Sequence, residues 1–407
     1  MSRARITIAT SGPLCRNPRV HREADALAQD GHDVTVVTVA YHDRFERLDA
    51  DLMREARYRK VRIDRRPSHP TGRLISFFER GLTKLARERH WQSPLAFGPF
   101  HALARTIRQQ RCDLLIAHTE LALAVAHRLR GAGLPVAADI EDWHSRDLLP
   151  DAQASRPLRL LEQIEGDLLR QARHVTATSQ AMATALARAY HAPEPVVIPN
   201  TLPLTPNAVL EAGRLSSPTI PSLIWVSQTI GPGRGLEAFI RGWAQTRIAS
   251  HLTLLGEAVP GFADKLRELI PASHAERFRL QAPVPPGDLP ATLCGHHIGL
   301  ALEPASPDNK NLTISNKIFH YLDAGLAVVA TPTAGQREVF AQDPRIGFLD
   351  DLADPNALAL RLDELSSHPD QLSDRRAAAR RLAEQQYCWE KSRLPLQRAV
   401  RHSLGIT

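Results

Sequence analysis

The chain has 407 residues, which is more than one hydrophobic core usually organises, so we expect two domains of roughly 150 to 200 residues each. Hydrophobic residues make up 43% and charged residues 23%, a globular composition that contains no run of about 18 apolar residues able to cross a membrane. The net charge is +7, but residues 1–110 alone hold 21 Lys or Arg against 12 Asp or Glu.

This basic first quarter favours an anionic partner, such as a membrane surface, a phosphorylated acceptor or nucleic acid. Nucleic acid is not expected, because the sequence has no zinc finger, RNA-binding signature or basic helix with heptads. The four cysteines are scattered without a CxxC pair, which argues against a zinc site or a disulfide framework. The first residues lead into a short strand and not into a cleavable apolar segment, so we expect a cytoplasmic protein.

The first 200 residues have the pattern of a Rossmann-like domain. A strand over residues 5–10, a helix over 18–30 and a strand over 33–39 predict a βαβ unit. Further short apolar runs, separated by helical stretches, predict a parallel sheet covered on both faces; they lie at residues 113–117, 136–140, 174–177 and 196–198.

Within this domain, one predicted helix is strongly amphipathic. Its apolar side chains share one face, and its basic side chains lie largely on another; the residues are Leu74, Phe77, Phe78, Leu82 and Leu85, and Arg73, Arg80, Lys84 and Arg87. Two interpretations stay open. The helix around Arg73 to Arg89 could lie on an anionic membrane surface, which would make the protein peripheral on the inner membrane face, or it could pack on its own sheet.

A proline-rich stretch predicts a linker over residues 201–221. A second alternation of strands and helices then predicts another Rossmann-like domain over 222–385, with strands at residues 223–227, 251–255, 278–281, 298–303 and 326–330. The final helix is interrupted near residues 387–389 and at Pro395, and residues 386–407 could return to the first domain. The expected fold is therefore α/β, with two parallel sheets facing a central cleft.

Residues 311–331 combine a polar loop, a helix and a buried strand. Ser315 is a good N-cap, and Gly325 can close the helix. The free N–H groups at the helix start, with Asn316 and Lys317 beside them, suit a phosphate or diphosphate. The alternative is an ordinary α/β crossover with a solvated lysine.

Residues 227–237 give a second signal after the first strand of this domain. Gly233 and Gly235 permit close backbone approach, and Arg234 can bind a phosphate with two hydrogen bonds. The segment is neither GxGxxG nor a P-loop, so nicotinamide binding and ATP hydrolysis lose support. An ordinary turn is the alternative, but two anion-binding segments at one sheet edge favour a shared site.

Several further segments, in this order and spacing, make the chain resemble a GT-B glycosyltransferase of the family-four, group 1 type over nearly its whole length. They are residues 17–24 (NPRVHREA), 31–37 (GHDVTVV), 175–179 (VTATS), 197–200 (VIPN), 235–237 (GLE), 254–256 (LLG), 324–331 (AGLAVVAT) and 389–390 (WE).

The resemblance implies that the second domain binds a nucleotide-sugar, with Arg234 and Lys317 on its diphosphate. It also implies that the first domain holds a lipid-linked or polysaccharide acceptor, and we expect Gly12, Arg16 and Arg19 on its acceptor-side loop. The resemblance favours a retaining transfer. A metal becomes unnecessary if Arg234 and Lys317 neutralise the charge of the leaving diphosphate, and we expect no cofactor. The DxD pattern at Asp49-Ala50-Asp51 lies in a charged helical stretch and is not expected to bind a metal. The expected donor-binding residues are Gln228, Gly233, Arg234, Gly235, Glu303, Asn311, Ser315, Asn316, Lys317 and His320.

The chain departs from the family pattern at several positions. Gln228 stands where many members have a basic residue, and His320 stands where a glutamate usually holds the ribose. Leu312 replaces a second glutamate that is often placed near the donor sugar. Glu303 and Asn311 are candidates to take over those sugar contacts.

Candidate catalytic residues follow the predicted strand at 136–140. Glu141, Asp142 and His144 are titratable, and Glu141 replaces the histidine usual in this region. One of them could act as a general base in an inverting transfer, which the residues leave open. The segment could also be an acidic loop that caps a helix. Two other functions stay open: a GT-B-fold sugar-nucleotide epimerase or hydrolase, and a catalytically silent protein that binds a nucleotide-sugar or a partner.

Overall fold

The computed structural model describes residues 3–153, 156–213 and 220–406, and the chain divides into two compact units. Unit 1 comprises Met1–Ile198 and Arg393–Thr407, and unit 2 comprises Pro199–Ser392. Each unit is built around one parallel sheet flanked by helices, as the sequence predicts. None of the helices in the described ranges combines the length and hydrophobicity that a membrane-crossing helix needs.

Unit 1 contains a seven-stranded sheet. Its strands are β1 (Arg5–Ala9), β2 (Asp33–Ala40), β3 (Arg59–Asp64), β4 (Leu114–His118), β5 (Val136–Ile140), β6 (Val175–Ala177) and β7 (Val196–Val197). They pair in parallel in the order β3-β2-β1-β4-β5-β6-β7. The helices are α1 (Pro18–Gln29), α2 (Asp43–Leu52), α3 (Pro70–Glu88), α4 (Phe100–Gln110), α5 (Thr119–Arg130), α6 (Pro150–Gln153), α7 (Leu158–Gln171) and α8 (Gln180–Tyr190).

The strands of unit 2 are β8 (Ser222–Ile230), β9 (His251–Ala258), β10 (Phe278–Gln281), β11 (Ile298–Ala301), β12 (Ala327–Ala330) and β13 (Gly347–Leu349). They pair in parallel in the order β10-β9-β8-β11-β12-β13. The helices are α9 (Asn207–Gly213), α10 (Leu236–Trp243), α11 (Phe262–Arg267), α12 (Ala272–Ala275), α13 (Leu289–Cys294), α14 (Asp308–Leu312), α15 (Asn316–Asp323), α16 (Ala334–Gln342), α17 (Pro355–Ser367) and α18 (Pro369–Gln385), and α19 (Trp389–Ser403) runs from unit 2 into unit 1.

Local sequence explains where the first βαβ unit begins its helix. The side chain of Asn17 accepts a hydrogen bond from the Val20 N–H, and Pro18 occupies the first turn of α1, where a missing N–H costs nothing. β2 is buried from its second residue to its last, because both faces of this inner strand are covered, and only Thr35 and Thr38 interrupt its apolar residues. The sequence therefore predicts these elements closely.

The strand prediction missed β3 and β13. β3 has the sequence RKVRID and lies at the edge of its sheet, where charged residues protect the open side of the strand and hide the apolar pattern. β13 has only three residues. β8 is longer than predicted, because it continues to Ile230 past a shift of register between Val226 and Thr229.

Part of the predicted linker is helical instead. α9 packs against α13 so closely that a Cβ added to Gly213 would lie 2.6 Å from the backbone oxygen of Ala291. The remaining linker residues 214–219 lie outside the described residues. The predicted break near residues 387–389 is present between α18 and α19, whereas Pro395 lies inside α19 without ending it.

In unit 2, one buried tyrosine joins α15 to the sheet. The hydroxyl of Tyr321 donates to the Leu300 oxygen (3.1 Å) and accepts from the Val226 N–H (3.2 Å), which fixes α15 against β11 and β8. The ring fits only because residue 299 is glycine: a Cβ there would lie 2.2 Å from the ring. Gly299 therefore sets how closely α15 approaches the sheet edge.

We expect Gly299→Ala to lower the free energy of unfolding by about 1–3 kcal/mol, because the added methyl overpacks a site with no free volume. Urea unfolding followed by circular dichroism measures the change. Gly287→Ala is the matched control, since a Cβ at Gly287 has no neighbour within 4 Å. Equal unfolding curves for the two variants would contradict this packing.

Candidate functional site

The predicted donor residues of unit 2 lie where β8, β11 and β12 end. These strands are neighbours in the parallel sheet, so their carboxyl ends meet at one edge. The turn before α10 follows β8, Glu303 follows β11 by two residues, and Thr331 follows β12 directly. We call Arg234, Glu303, Ser315 and Lys317 the edge cluster.

Two helices start at this edge without a side-chain cap. α10 follows Gly235, whose φ of +73° favours glycine, and α15 follows Ser315. Ser315 occupies the predicted N-cap position, but its hydroxyl donates to Oε1 of Glu303 (2.9 Å) and does not cap the helix. The positive ends of both helix dipoles are therefore available to an anion.

Lys317 is held by a carboxylate. Its ammonium pairs with Oε1 of Glu303, lies 5.5 Å from the centre of the Trp225 ring, and leaves only 13% of the side chain exposed. The interpretation of Lys317 as a solvated lysine is therefore wrong. The ion pair places Glu303 beside Lys317, and the predicted contact of Glu303 with the donor sugar stays a prediction.

Charge around Lys317 is strongly positive. Burial lowers the pKa of the Lys317 ammonium, and the cations Arg234 and Lys310 lower it further, against the raising effect of Glu303. Burial raises the pKa of Glu303, but Lys317 outweighs that effect and holds this pKa below its ordinary value. Among these four groups, Lys317, Arg234 and Lys310 give three positive charges against the one carboxylate of Glu303, an excess that suits a ligand with two negative charges.

The backbone around Glu303 is fixed from β12. The Glu303 N–H donates to Oγ1 of Thr331 (2.8 Å), and that hydroxyl donates back to the Glu303 oxygen (2.7 Å). The Gln336 amide donates to the Thr331 oxygen (2.5 Å). Asn311 accepts from the Ala334 N–H (3.0 Å), so its side-chain oxygen orders the start of α16. Its predicted sugar contact stays a prediction.

The other predicted donor residues surround this cluster. Gln228 is exposed at the register shift of β8, and Gly233 has a φ of +74° in the following turn. Asn316 is exposed at the first position of α15, and His320 is half-buried one turn later. Their roles in donor binding stay predictions.

Unit 1 contains a buried charge network that the sequence did not reveal: Arg19, Glu23, His118 and Asp139. The Arg19 guanidinium donates to both oxygens of Asp139 (2.6 and 2.9 Å) and to the Ile198 oxygen (2.8 Å). Arg19 is 3% exposed within α1, so its expected place on an acceptor-side loop is wrong. The guanidinium instead joins α1 to β5 and to the end of the sheet.

His118 lies between two carboxylates of this network. Its ring nitrogens are 2.9 Å from Asp139 and 2.7 Å from Glu23. Burial lowers the pKa of His118, but the two carboxylates outweigh burial and raise this pKa to about 10. Two cations thus balance two carboxylates, which makes complete burial tolerable. A histidine ending one central strand and an aspartate in the next are the signals that could have revealed the network.

The candidate catalytic segment follows β5. Burial raises the pKa of Glu141, which makes it a stronger base than an ordinary carboxylate. Burial lowers the pKa of His144, but Asp147 and Glu120 raise it to about 9, so His144 is protonated at neutral pH. Asp142 is exposed. A protonated His144 is poorly suited to accept a proton, and the catalytic roles of Glu141, Asp142 and His144 stay predictions.

The loop after β1 contains Gly12 and Arg16. The buried carboxylate of Asp49 accepts the N–H groups of Leu14 (3.1 Å) and Cys15 (2.8 Å), and Lys60 neutralises it (2.6 Å). The first aspartate of the DxD pattern therefore has a structural role, which explains the pattern without a metal. Arg16 lies over the Phe45 ring, 5.3 Å from its centre. The acceptor roles of Gly12 and Arg16 stay predictions.

Within the described ranges, two groups of side chains have the spacing to hold a metal ion: Glu23, His118 and Asp139, and Glu120, His144 and Asp147. An arginine already contacts each group, Arg19 the first and Arg156 the second. Because these guanidiniums supply the positive charge, neither group fits a divalent cation.

We expect the buried charge network to make stability depend on pH. The pKa of His118 is higher in the folded chain than in the unfolded chain, so its stabilisation is complete below about pH 6.5 and is lost as the pH rises towards 10. In Glu23→Gln, His118 loses one carboxylate, and the loss of stability should begin at lower pH. Melting temperatures between pH 6 and 10 test this.

Glu162→Gln is the control, because Glu162 is an exposed residue of the same unit. Its melting curve against pH should follow that of the wild type. If Glu23→Gln gives the same pH dependence as this control, the assigned charge state of His118 is wrong.

Two family models match the chain. A glycosyl transferase 4-like domain matches residues 17–201, and a glycosyl transferase-like domain matches residues 234–393. Together they cover more than four fifths of the sequence. A comparison with curated proteins gave no match.

Solved structures share the architecture. Sucrose-phosphate synthase from Thermosynechococcus elongatus gives a TM-score of 0.72 at 17% identity, covering 99% of this chain and 100% of that one. HepE from Anabaena in complex with UDP gives 0.68 at 18% identity, covering 98% and 99%. TarM from S. aureus, in a complex that includes UDP, gives 0.67 at 10% identity, covering 97% and 99%. At these identities the likeness shows the fold alone.

Proposed function

Because the chain belongs to the group 1 glycosyltransferases of the GT-B fold, we propose that it transfers a sugar from a nucleotide-sugar to a lipid-linked or polysaccharide acceptor. The observation that carries the donor assignment is the convergence of Arg234 and Lys317 with two uncapped helix starts in unit 2. The complexes of HepE and TarM with UDP support a nucleotide as the ligand. We place the reaction in the cytoplasm.

The edge cluster can stabilise the leaving group. As the bond between the sugar and the diphosphate breaks, negative charge grows on the diphosphate oxygens, and fixed cations and helix N–H groups lower the energy of that state. Glu303 holds the Lys317 ammonium in place before the donor arrives, so little reorganisation is needed. With Arg234 and Lys317 supplying the positive charge, the proposed transfer uses neither a metal nor a cofactor.

We propose retention of configuration, in which the donor phosphate and positioned hydrogen bonds assist the incoming hydroxyl. The raised pKa of Glu141 supports the alternative, an inverting transfer with Glu141 as the base. The anomeric configuration of the product, measured by NMR, distinguishes the two. Glu141→Gln should abolish an inverting transfer and leave a retaining one active.

Two other functions use the same donor site. A sugar-nucleotide epimerase or hydrolase would need no acceptor, and the changes at Gln228, Leu312 and His320 leave a silent binding protein as a further alternative. Incubation with labelled UDP-, GDP- and ADP-sugars, with and without membrane extract, separates them. Nucleotide release that requires the extract supports the transferase. Nucleotide release or epimerisation without the extract supports the epimerase or hydrolase. Binding of a nucleotide-sugar without any turnover supports the silent binding protein.

We expect Arg234→Gln and Lys317→Gln each to weaken nucleoside diphosphate binding by about 1.5–3 kcal/mol, the scale of a charged hydrogen bond. Isothermal titration with UDP, GDP and ADP measures this loss. Arg241→Gln is the matched control, because Arg241 is exposed on α10 away from its start.

Thermal melting must accompany the titration, since Lys317→Gln leaves Glu303 without its buried partner. Arg234 has no ion pair with any residue that the structure describes, so its variant is the better test of the site apart from folding. Unchanged affinity in both folded variants would remove the edge cluster from the donor site.

A further inference from the structure

Helix α3 exposes the face that a surface helix normally buries. Phe77 and Phe78 are 73% and 65% exposed, and Leu74 is 61% exposed. Ile75, Leu82 and Leu85 on the same side are also exposed. The helix instead turns Gly72, Ser76 and Ala86 towards the protein. The interpretation of α3 as a helix whose apolar face packs on its own sheet is therefore wrong.

Polar contacts hold α3 in this orientation. Thr83 donates to the Leu95 oxygen (3.0 Å), and Arg87 donates to the Ala96 oxygen (2.9 Å). Glu79 accepts two hydrogen bonds from Arg65 (2.6 and 2.9 Å). A Cβ at Gly72 would lie 2.7 Å from the Asp64 oxygen, so the start of the helix fits closely. The apolar face is thus presented by specific contacts on the opposite side.

Charge identifies what this face would bind. Residues 65–89 contain seven Arg or Lys and two Glu. Of these glutamates, Glu79 pairs with Arg65 and Glu88 lies 3.7 Å from Lys84. The basic side chains Arg73, Arg80 and Lys84 follow one flank of the apolar face, and Arg87 lies between this flank and the protein. A cavity of about 740 Å³ beside them is lined by Arg80, Lys84 and Arg87 and by both glutamates. A protein partner would need acidic side chains placed opposite these basic residues, whereas the headgroup phosphates of an anionic bilayer cover its whole surface.

We propose that α3 binds in the interface of an anionic lipid bilayer, with Phe77 and Phe78 among the acyl chains and the basic flank among the headgroup phosphates. An apolar face bordered by basic residues is the pattern of helices that lie in that interface. Trp91, which is 43% exposed just after the helix, is a residue type favoured at the same depth. The helix is 19 residues long, so it offers about 28 Å of contact.

Vesicle flotation tests the proposal. The full chain should float with vesicles that mix phosphatidylcholine and phosphatidylglycerol, and less with phosphatidylcholine alone. Phe77→Ser with Phe78→Ser should lower the affinity at least tenfold, and both side chains are exposed, so the fold should survive. Leu360→Ser is the matched control, because Leu360 is 66% exposed on α17.

A second pair of substitutions tests how much the basic side chains contribute to vesicle binding. Arg80→Gln with Lys84→Gln should lower affinity for the anionic vesicles about tenfold and hardly change binding to neutral ones. The control, Arg188→Gln with Arg241→Gln, removes the same charge from exposed positions elsewhere. Higher salt should weaken the wild type more than the Arg80 and Lys84 variant.

Three outcomes would overturn the proposal: a folded wild type that does not float, a phenylalanine variant that floats like its control, or self-association in solution that the phenylalanine variant abolishes. The last would assign the face to a second copy of the chain. The assay contains no nucleotide-sugar, so its failure would leave the proposed transferase function untouched, and loss of that function would leave vesicle binding intact.

Discussion

The ion pair of Lys317 with Glu303 holds a cation at the sheet edge of unit 2, and the proposed donor site depends on it. Both groups are nearly buried, and each would be costly there without the other. The pair joins the start of α15 to the end of β11, while Ser315 and Thr331 hold the same glutamate from two further sides. A cation that is already oriented, beside two helix starts without side-chain caps, is the basis of the donor site that we propose.

Buried charges must also be paired in unit 1, but there the paired groups have a structural role. Arg19, Glu23, His118 and Asp139 neutralise one another in the interior, and their ion pairs join α1 to the central strands β4 and β5. The edge cluster differs because its cations outnumber its carboxylate and because it lies where strands end. Balance or imbalance of buried charge therefore separates a structural network from a candidate binding site.

Local signals explain what the sequence could predict. Gly235, Ser315 and the apolar spacing of α15 mark the helix starts, and Lys317 lies within one turn of Ser315. The pairing of residues 303 and 317, and of 19 and 139, depends on which strands become neighbours, which no local pattern states. The exposed face of α3 was also ambiguous, since an amphipathic pattern shows two faces but not which one the fold buries. Here contacts of Gly72, Thr83 and Arg87 decide it.

Backbone hydrogen exchange with and without a nucleoside diphosphate tests the central claim most directly. The first N–H groups of α10 and α15, which no side chain caps, should exchange more slowly when a diphosphate accepts their hydrogen bonds. With UDP, GDP and ADP tried in turn, we predict that at least one protects residues 233–237 and 315–317 together; the Ile318 N–H already donates to the Ser315 oxygen and is left out of this window. A nucleotide that binds at saturation and protects other segments, but neither of these, would contradict the account.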